Sequence, residues 1–291
     1  MKKYVVYANR NGERFNSTEY ETGFLRFLYH TFIGRLFLKF FASKLVANAS
    51  HWYMNRRMSK GKVKKTIEKH NIDMSLYDCK NPKCYNDFFL RNLNELKFDE
   101  NKNSFISPCD SKLMVRTIND DLIFSVKKSE YNVEEILKNK DLANEYKDGL
   151  ILIFRLTVDD YHHYIYIDDG SKTKNIKIKG VLHTTQPIAI HSRKVYHQNS
   201  REYTILKTNN FDDVIFMEVG AMCVGKIENL HQEYEFKKGE EKGKFQFGGS
   251  TIILFVKKNV VKIDDDIINN SNDGIETIVK VGMKIGTKIE N

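Results

Sequence analysis

From Ser104 to the end of the chain, short β-branched and aromatic runs alternate with Gly, Asp and Asn turns. Leu150–Leu156, Ile176–Ile178, Asp213–Val219 and Ser250–Val256 each read as a strand, as do 163–167, 223–227 and 277–281. The main helical interruption is 133–146. With only three prolines and 16 glycines, the pattern is neither collagen-like nor low-complexity. It predicts a β-rich domain of roughly 190 residues, built as a sandwich or a partly closed barrel. No internal repeat is visible.

The first part of the chain is different. Residues 4–7 read as a short strand and 9–13 as a turn, 22–75 as helical, 85–96 as a further helix and 99–103 as a loop. The fold class expected is therefore α+β: a helical N-terminal region, 1–75, followed by a β-rich domain, 76–291. Charge divides along the same line. Between Thr22 and Ile67 there is no acidic residue, but there are ten basic ones. The whole chain carries +9, so the remaining 245 residues are left with −1.

The basic segment is also rich in Phe and Leu. Arg26, Arg35 and Lys39 interrupt its apolar run before 18 residues are reached, which speaks against a transmembrane helix or a signal peptide. Two readings of it remain. Its helices lie in an anionic membrane interface, or they pack on the protein's own core with cationic stems directed outward. No recognisable module surrounds the basic and aromatic residues, so nucleic acid is not expected as a partner. Four cysteines are too few for a disulfide scaffold and suit a reducing compartment. Their spacing, with no histidine near Cys79 or Cys84, does not suggest a zinc site.

The most distinctive stretch is Phe247-Gly248-Gly249-Ser250-Thr251, followed at once by the apolar run of Ser250–Val256. By itself Gly-Gly signals a tight turn or bulge entering a buried strand. No phosphate-binding loop pattern is present.

Taken with other segments, the stretch resembles the phosphatidylserine decarboxylases, pyruvoyl enzymes that cut themselves before a serine. Gly249-Ser250-Thr251 is similar to the family's Gly-Ser-Thr. Lys238-Gly239-Glu240-Glu241 resembles its basic-Gly-acidic stretch, and Val219-Gly220-Ala221 its Val-Gly-Ala strand. Asn199-Ser200-Arg201 stands where members usually read Asn-Glu-Arg. Gly180-Val181-Leu182-His183 through Pro187, Asp160-Tyr161-His162, Ser107-Pro108-Cys109-Asp110 and Phe88-Phe89-Leu90-Arg91 complete the ordered matches. One departure is plain. Many members read Asp-Tyr-His-Arg-x-His, whereas this chain has His163 in the Arg position and Ile165 in the last His position.

The resemblance implies an enzyme that decarboxylates phosphatidylserine to phosphatidylethanolamine through a Schiff base with a pyruvoyl group derived from Ser250. It implies cleavage between Gly249 and Ser250 into partner chains 1–249 and 250–291. His162 becomes the leading histidine for both cleavage and decarboxylation, with His163 and His183 as secondary candidates. Asp110 is assigned to orient the imidazole, as in a Ser-His-Asp relay. Neither a metal nor pyridoxal phosphate is expected. The implied setting is peripheral, on the cytoplasmic face of a bacterial membrane, with anionic phospholipid as partner and a homodimer left open. The alternatives are a pyruvoyl decarboxylase of a soluble amino acid and an inactive membrane-binding relative.

Overall fold

Five antiparallel neighbours run through the middle of this computed structural model: Asp213–Val219, Ser250–Val256, Leu150–Leu156, Ser111–Thr117 and Glu276–Val279. The structure describes residues 5–17, 23–126, 129–190, 194–222, 227–247 and 250–290. Among these, the five belong to an eleven-stranded sheet. Arg201–Thr208, Gly170–Lys172 and Tyr234–Phe236 extend it on one side. On the other side Val5–Ala8 joins Glu276–Val279 in parallel and pairs with Arg14–Ser17. The sheet is therefore mixed, and the fold is α+β. The first strand of the chain belongs to the same sheet as Ser250.

Alternation along the central strands decides what covers each face. Ile252, Leu254 and Val256 point into one core, Ile253 and Phe255 into another. The first core is closed by two three-stranded sheets. One contains His163–Ile165, Glu241–Phe245 and Ile227–Asn229, the other Ser104–Ile106, Lys284–Lys288 and Val261–Ile263. Helices close the second core, including Val133–Leu137 and Val195–Gln198.

The basic segment folds into α1 (Gly23–His30), α2 (Phe32–Phe41), α3 (Lys44–Met54) and α4 (Gly61–His70). Hydroxyl caps divide it. Thr31 Oγ1 accepts from the Gly34 amide and Ser43 Oγ from that of Val46, which starts α2 and α3 anew. Gly34 allows α2 to lie against the end of α1, because a Cβ there would sit 1.9 Å from the Phe27 carbonyl oxygen. Leu28, Tyr29 and Leu38 enter the second core. A third core joins α3 and α4 to α5 (Tyr85–Phe89) through Met54, Val63, Tyr85, Phe88 and Phe89, with Phe247 against it. Burying each such phenyl ring contributes about 1.5–3 kcal/mol.

Several elements differ from the sequence expectation. The helix expected over 85–96 stops at Phe89, after which Arg91 is drawn inward to backbone carbonyls and Leu93 bridges to Tyr77. The helix expected over 133–146 is two helices, Val133–Leu137 and Lys140–Asn144. Lys138 breaks it at φ 55°, and Asn132 and Asn139 each cap one piece. Residues 223–226 of the expected strand 223–227 lie outside the described residues, and the strand there is Ile227–Asn229.

Candidate active site

Ser250 opens its strand opposite Leu156, the last residue of Leu150–Leu156. In the next pairing Arg155 faces Lys112, so Asp110 and Ser111 lie at the same end of the sheet, where Val279 pairs with Ser111. On the other flank Val219 faces Thr251, bringing Gly220 level with Ser250. Ser250 shares the face of Ile252 and Leu254, beneath the sheet that contains His163–Ile165. It is fully buried, and among the described residues its Oγ has no hydrogen-bond partner. Such an orphan hydroxyl costs about 1–3 kcal/mol, and the hydroxyls of Ser111 and Thr251 at the same end of the sheet are orphaned too. Gly248 and Gly249 lie outside the described residues.

His162 lies where the turn after Leu150–Leu156 returns to the small sheet. The Asp160 carboxylate organises that turn, accepting from the Thr157 amide at 2.7 Å and from Lys112 Nζ at 2.8 Å. The fully buried imidazole places Nδ1 2.9 Å from the Asp160 carbonyl oxygen. A carbonyl only accepts, so Nδ1 carries the hydrogen and Nε2 keeps its lone pair. Nε2 is buried and has no partner among the described residues. The Phe89 ring lies 3.9 Å from the imidazole, centre to centre. Burial, reinforced by the nearby Arg91 guanidinium, pushes the His162 pKa down to about 3. The ring is therefore neutral near pH 7, with the Nε2 lone pair free of a proton.

Arg91 fixes the carbonyl that orients His162. Its Nη2 donates to Asp159 O at 2.7 Å and to Asp160 O at 3.1 Å, and its guanidinium covers the Tyr77 ring at 4.5 Å. Asp110 is also buried, but its carboxylate accepts from Lys280 Nζ at 2.7 Å and from the Val281 amide at 2.9 Å. It makes no hydrogen bond to His162; the group that orients the ring is the Asp160 carbonyl.

The secondary histidines are engaged elsewhere. His163 places Nδ1 2.8 Å from Glu241 Oε1 and Nε2 3.3 Å from Leu90 O, with its ring stacked on Tyr161. Its hydrogen bond holds the Glu241 carboxyl below the usual range. His183 Nδ1 lies 3.3 Å from Tyr29 Oη, so it touches α1. Asn199 donates to the carbonyls of His183 and Gly220, which brings that segment beside the Ser250 end of the sheet. Ile165, in the position where many relatives carry histidine, is buried in the first core and donates its amide to the Pro108 carbonyl.

Besides Lys112 with Asp160, two further buried ion pairs among the described residues have no counterpart in the sequence expectation. Lys242 and Glu218 are fully buried together, with Asn229 Oδ1 accepting from Lys242 at 2.6 Å and the Phe216 ring 4.5 Å from its ammonium. Glu218 pairs with Ile252, one strand over from the serine's own. Arg155 pairs with Glu276 and donates to Tyr7 Oη, tying the first strand to the row that contains Thr251. Among the described residues no group of three or more His, Cys, Asp or Glu is gathered as a metal ion would require.

The pattern of the family described as phosphatidylserine decarboxylase matches residues 85–287, which include Asp110, His162, His163, His183 and Ser250. The chain belongs to the phosphatidylserine decarboxylase family. A relative from Clostridium acetobutylicum, phosphatidylserine decarboxylase proenzyme 2, is 49% identical over 277 residues, covering 94% of this chain and 95% of its own. A phosphatidylserine decarboxylase proenzyme from Clostridium botulinum strain Langeland is 41% identical over 296 residues, covering 98% and 99%. One from Clostridium tetani is 44% identical over 243 residues, covering 81% and 82%. The similarity to the first two thus includes the basic helical segment, which the family pattern does not reach.

Proposed function

We propose that this chain decarboxylates phosphatidylserine to phosphatidylethanolamine, and that it first converts its own Ser250 into the pyruvoyl group the reaction uses. The observation that carries this reading is the pair of buried, unpartnered atoms, Ser250 Oγ and His162 Nε2, in a member of this family. A hydroxyl left without a partner and a neutral imidazole with an unused lone pair suit a nucleophile and a base that act once.

In self-processing, Ser250 Oγ adds to the Gly249 carbonyl carbon and the bond from that carbon to the Ser250 nitrogen breaks. The hydroxyl proton passes through His162 Nε2 to the freed amine, which leaves an ester. Loss of the Cα proton of residue 250 expels the 1–249 carboxylate from Cβ. Tautomerisation and addition of water then release ammonia and leave a pyruvoyl group heading chain 250–291. That carbonyl supplies the electron sink for the carbanion formed when the substrate carboxyl departs. In this reading His162 returns a proton to the substrate α-carbon. For Asp110 to join a relay, the Nδ1–H of His162 must leave the Asp160 carbonyl for its carboxylate.

The basic helices support a lipid substrate over a soluble amino acid. In α2, Phe32, Ile33, Leu36, Phe37 and Phe40 are exposed, Phe32 by 80%. At about 100° per residue these five share one face, Gly34 and Leu38 lie on the inward one, and Arg35 and Lys39 flank the outward row. Leu45, Trp52 and Met58 extend the exposed apolar surface. That arrangement suits a peripheral helix lying in an anionic interface. Among the described residues no helix is long and apolar enough to cross a membrane. The region 1–75 is thus read as the membrane-contact part and 76–291 as the catalytic part.

Gel and intact-mass analysis of the purified protein tests the reading. Wild type yields a fragment of about 5 kDa, from residues 250–291, carrying an N-terminal pyruvoyl. Ser250→Ala stays whole and loses decarboxylation of phosphatidylserine vesicles. A wild-type chain that stays intact yet active removes the pyruvoyl route. One that stays intact and inactive while binding vesicles is a membrane-binding relative.

A further inference from the structure

Asn86 is the buried polar residue of α5, between the buried Tyr85 and the exposed Asp87. Its side chain reaches two distant parts of the chain. Oδ1 accepts from the Phe247 amide at 3.2 Å, and Nδ2 donates to Asn55 Oδ1 at 3.0 Å. A backbone amide can only donate, so the orientation of the Asn86 amide is fixed by chemistry. The Phe247 ring is held by the same helix, edge-on to Tyr85 at 5.0 Å and to Phe89 at 5.4 Å. Phe89 in turn lies against the His162 ring. One five-residue helix therefore grips both the imidazole and the residue two positions before Gly249.

We propose that Asn86 is a positioning residue for self-cleavage. It anchors the backbone at Phe247 so that the Gly249 carbonyl is presented to Ser250 Oγ. The inference rests on the self-processing reading above. A residue without a Cβ restricts the backbone least, so in a sequence with two glycines between Phe247 and Ser250 a hydrogen bond at the Phe247 amide supplies an ordering that side chains there cannot. Ring contacts fix where Phe247 sits; the bond from its amide to Asn86 fixes how its peptide plane is turned. After cleavage Phe247 belongs to the tail of chain 1–249, so the anchor serves formation of the pyruvoyl group more than its later use.

The test follows conversion of full-length precursor made by cell-free synthesis, reading the small chain by gel and intact mass. Turnover per pyruvoyl group is measured separately on the matured fraction. Asn86→Ala slows self-cleavage about tenfold, the scale of one lost hydrogen bond in a barrier, while turnover per pyruvoyl group stays within about twofold. Asn86→Asp keeps the acceptor for the Phe247 amide and matures within about threefold of wild type. Asn55→Ala removes the other partner without touching Phe247 and also matures within about threefold. Wild-type maturation in Asn86→Ala overturns the proposal. So does Asn86→Asp or Asn55→Ala as slow as Asn86→Ala, since that pattern belongs to a merely structural residue. A wild-type chain that never cuts overturns the self-processing reading and this proposal together. A wild type cut before residue 250 beside an unaffected Asn86→Ala overturns this proposal alone.

Discussion

The β-sheet around Ser250 and the helical layer formed by α1 to α4 break opposite rules of protein burial. In the sheet, charged groups are buried and almost all are partnered: Lys242 with Glu218, Arg155 with Glu276, Lys112 with Asp160. Where satisfaction is the norm, the buried atoms left without a partner among the described residues stand out, and Ser250 Oγ and His162 Nε2 are the two of them that the family motifs also single out. In the helical layer the unusual groups are apolar and exposed, and they point to a surface that something must cover. One region is read from its unpaired polar atoms and the other from its uncovered apolar ones.

The sharpest test of the sheet side is His162→Ala. Self-cleavage or turnover should fall about a hundred- to ten-thousand-fold, the range for removal of a general base, measured as precursor conversion and as carbon dioxide release. Acid stability gives an independent reading. An unfolded histidine titrates near 6.5 whereas His162 titrates near 3 in the fold, so between these values the unfolded chain binds one more proton. Stability from this residue is therefore full above pH 6.5 and falls with acidification by about 1.4 kcal/mol per pH unit down to about pH 3. His162→Gln should flatten the pH dependence of chemical denaturation by one proton across that window.

Next in size is Lys242→Met. It leaves the Glu218 carboxylate buried without its cation and should cost about 3–5 kcal/mol, lowering Tm by roughly 6–10 °C in calorimetry. A loss near zero would mean that the sheet side does not depend on its internal pairs as the comparison holds. The smallest effect on stability belongs to the helical side. Leu36→Glu with Phe37→Glu should leave Tm within about 2 °C, because both residues are exposed. The same pair should weaken sedimentation with anionic vesicles about ten- to a hundredfold. A large drop in Tm with unchanged vesicle binding would return α2 to the role of an ordinary packed helix.

Much of this was legible in the sequence because it depended on local composition. Leu150–Leu156, Asp213–Val219 and Ser250–Val256 are runs of β-branched and aromatic residues with turn signals on both sides, and each has the expected bounds. The helix Asp265–Asn272 is rich in Asp and Asn and gives little apolar periodicity. Its place is set by Ile267 in the core and by Ser271 Oγ accepting from the Val115 amide, 156 residues away. Motif order singled out Ser250 and His162, and both are buried with a free reactive atom. Their surroundings were not readable, since partners came from far along the chain. Lys280 is 170 residues from Asp110, and Asn86 is 161 from Phe247. Arg91 was visible only as part of a motif; its role comes from two carbonyls 68 and 69 residues on.

The place of the last 42 residues in the sheet has a consequence for how such a molecule can be made. Ser250–Val256 lies between Asp213–Val219 and Leu150–Leu156, and Glu276–Val279 lies between Ser111–Thr117 and Val5–Ala8. Both are interior strands, so a cut before Ser250 would leave the short chain woven into the long one at two separate places. The uncut chain can reach that weave by intramolecular folding. Two separated pieces would have to find each other first, with the short one inserting between strands that do not pair with each other. The native topology would thus be reached while the backbone is still whole, and a cut molecule once unfolded would have lost the connection that assembled it.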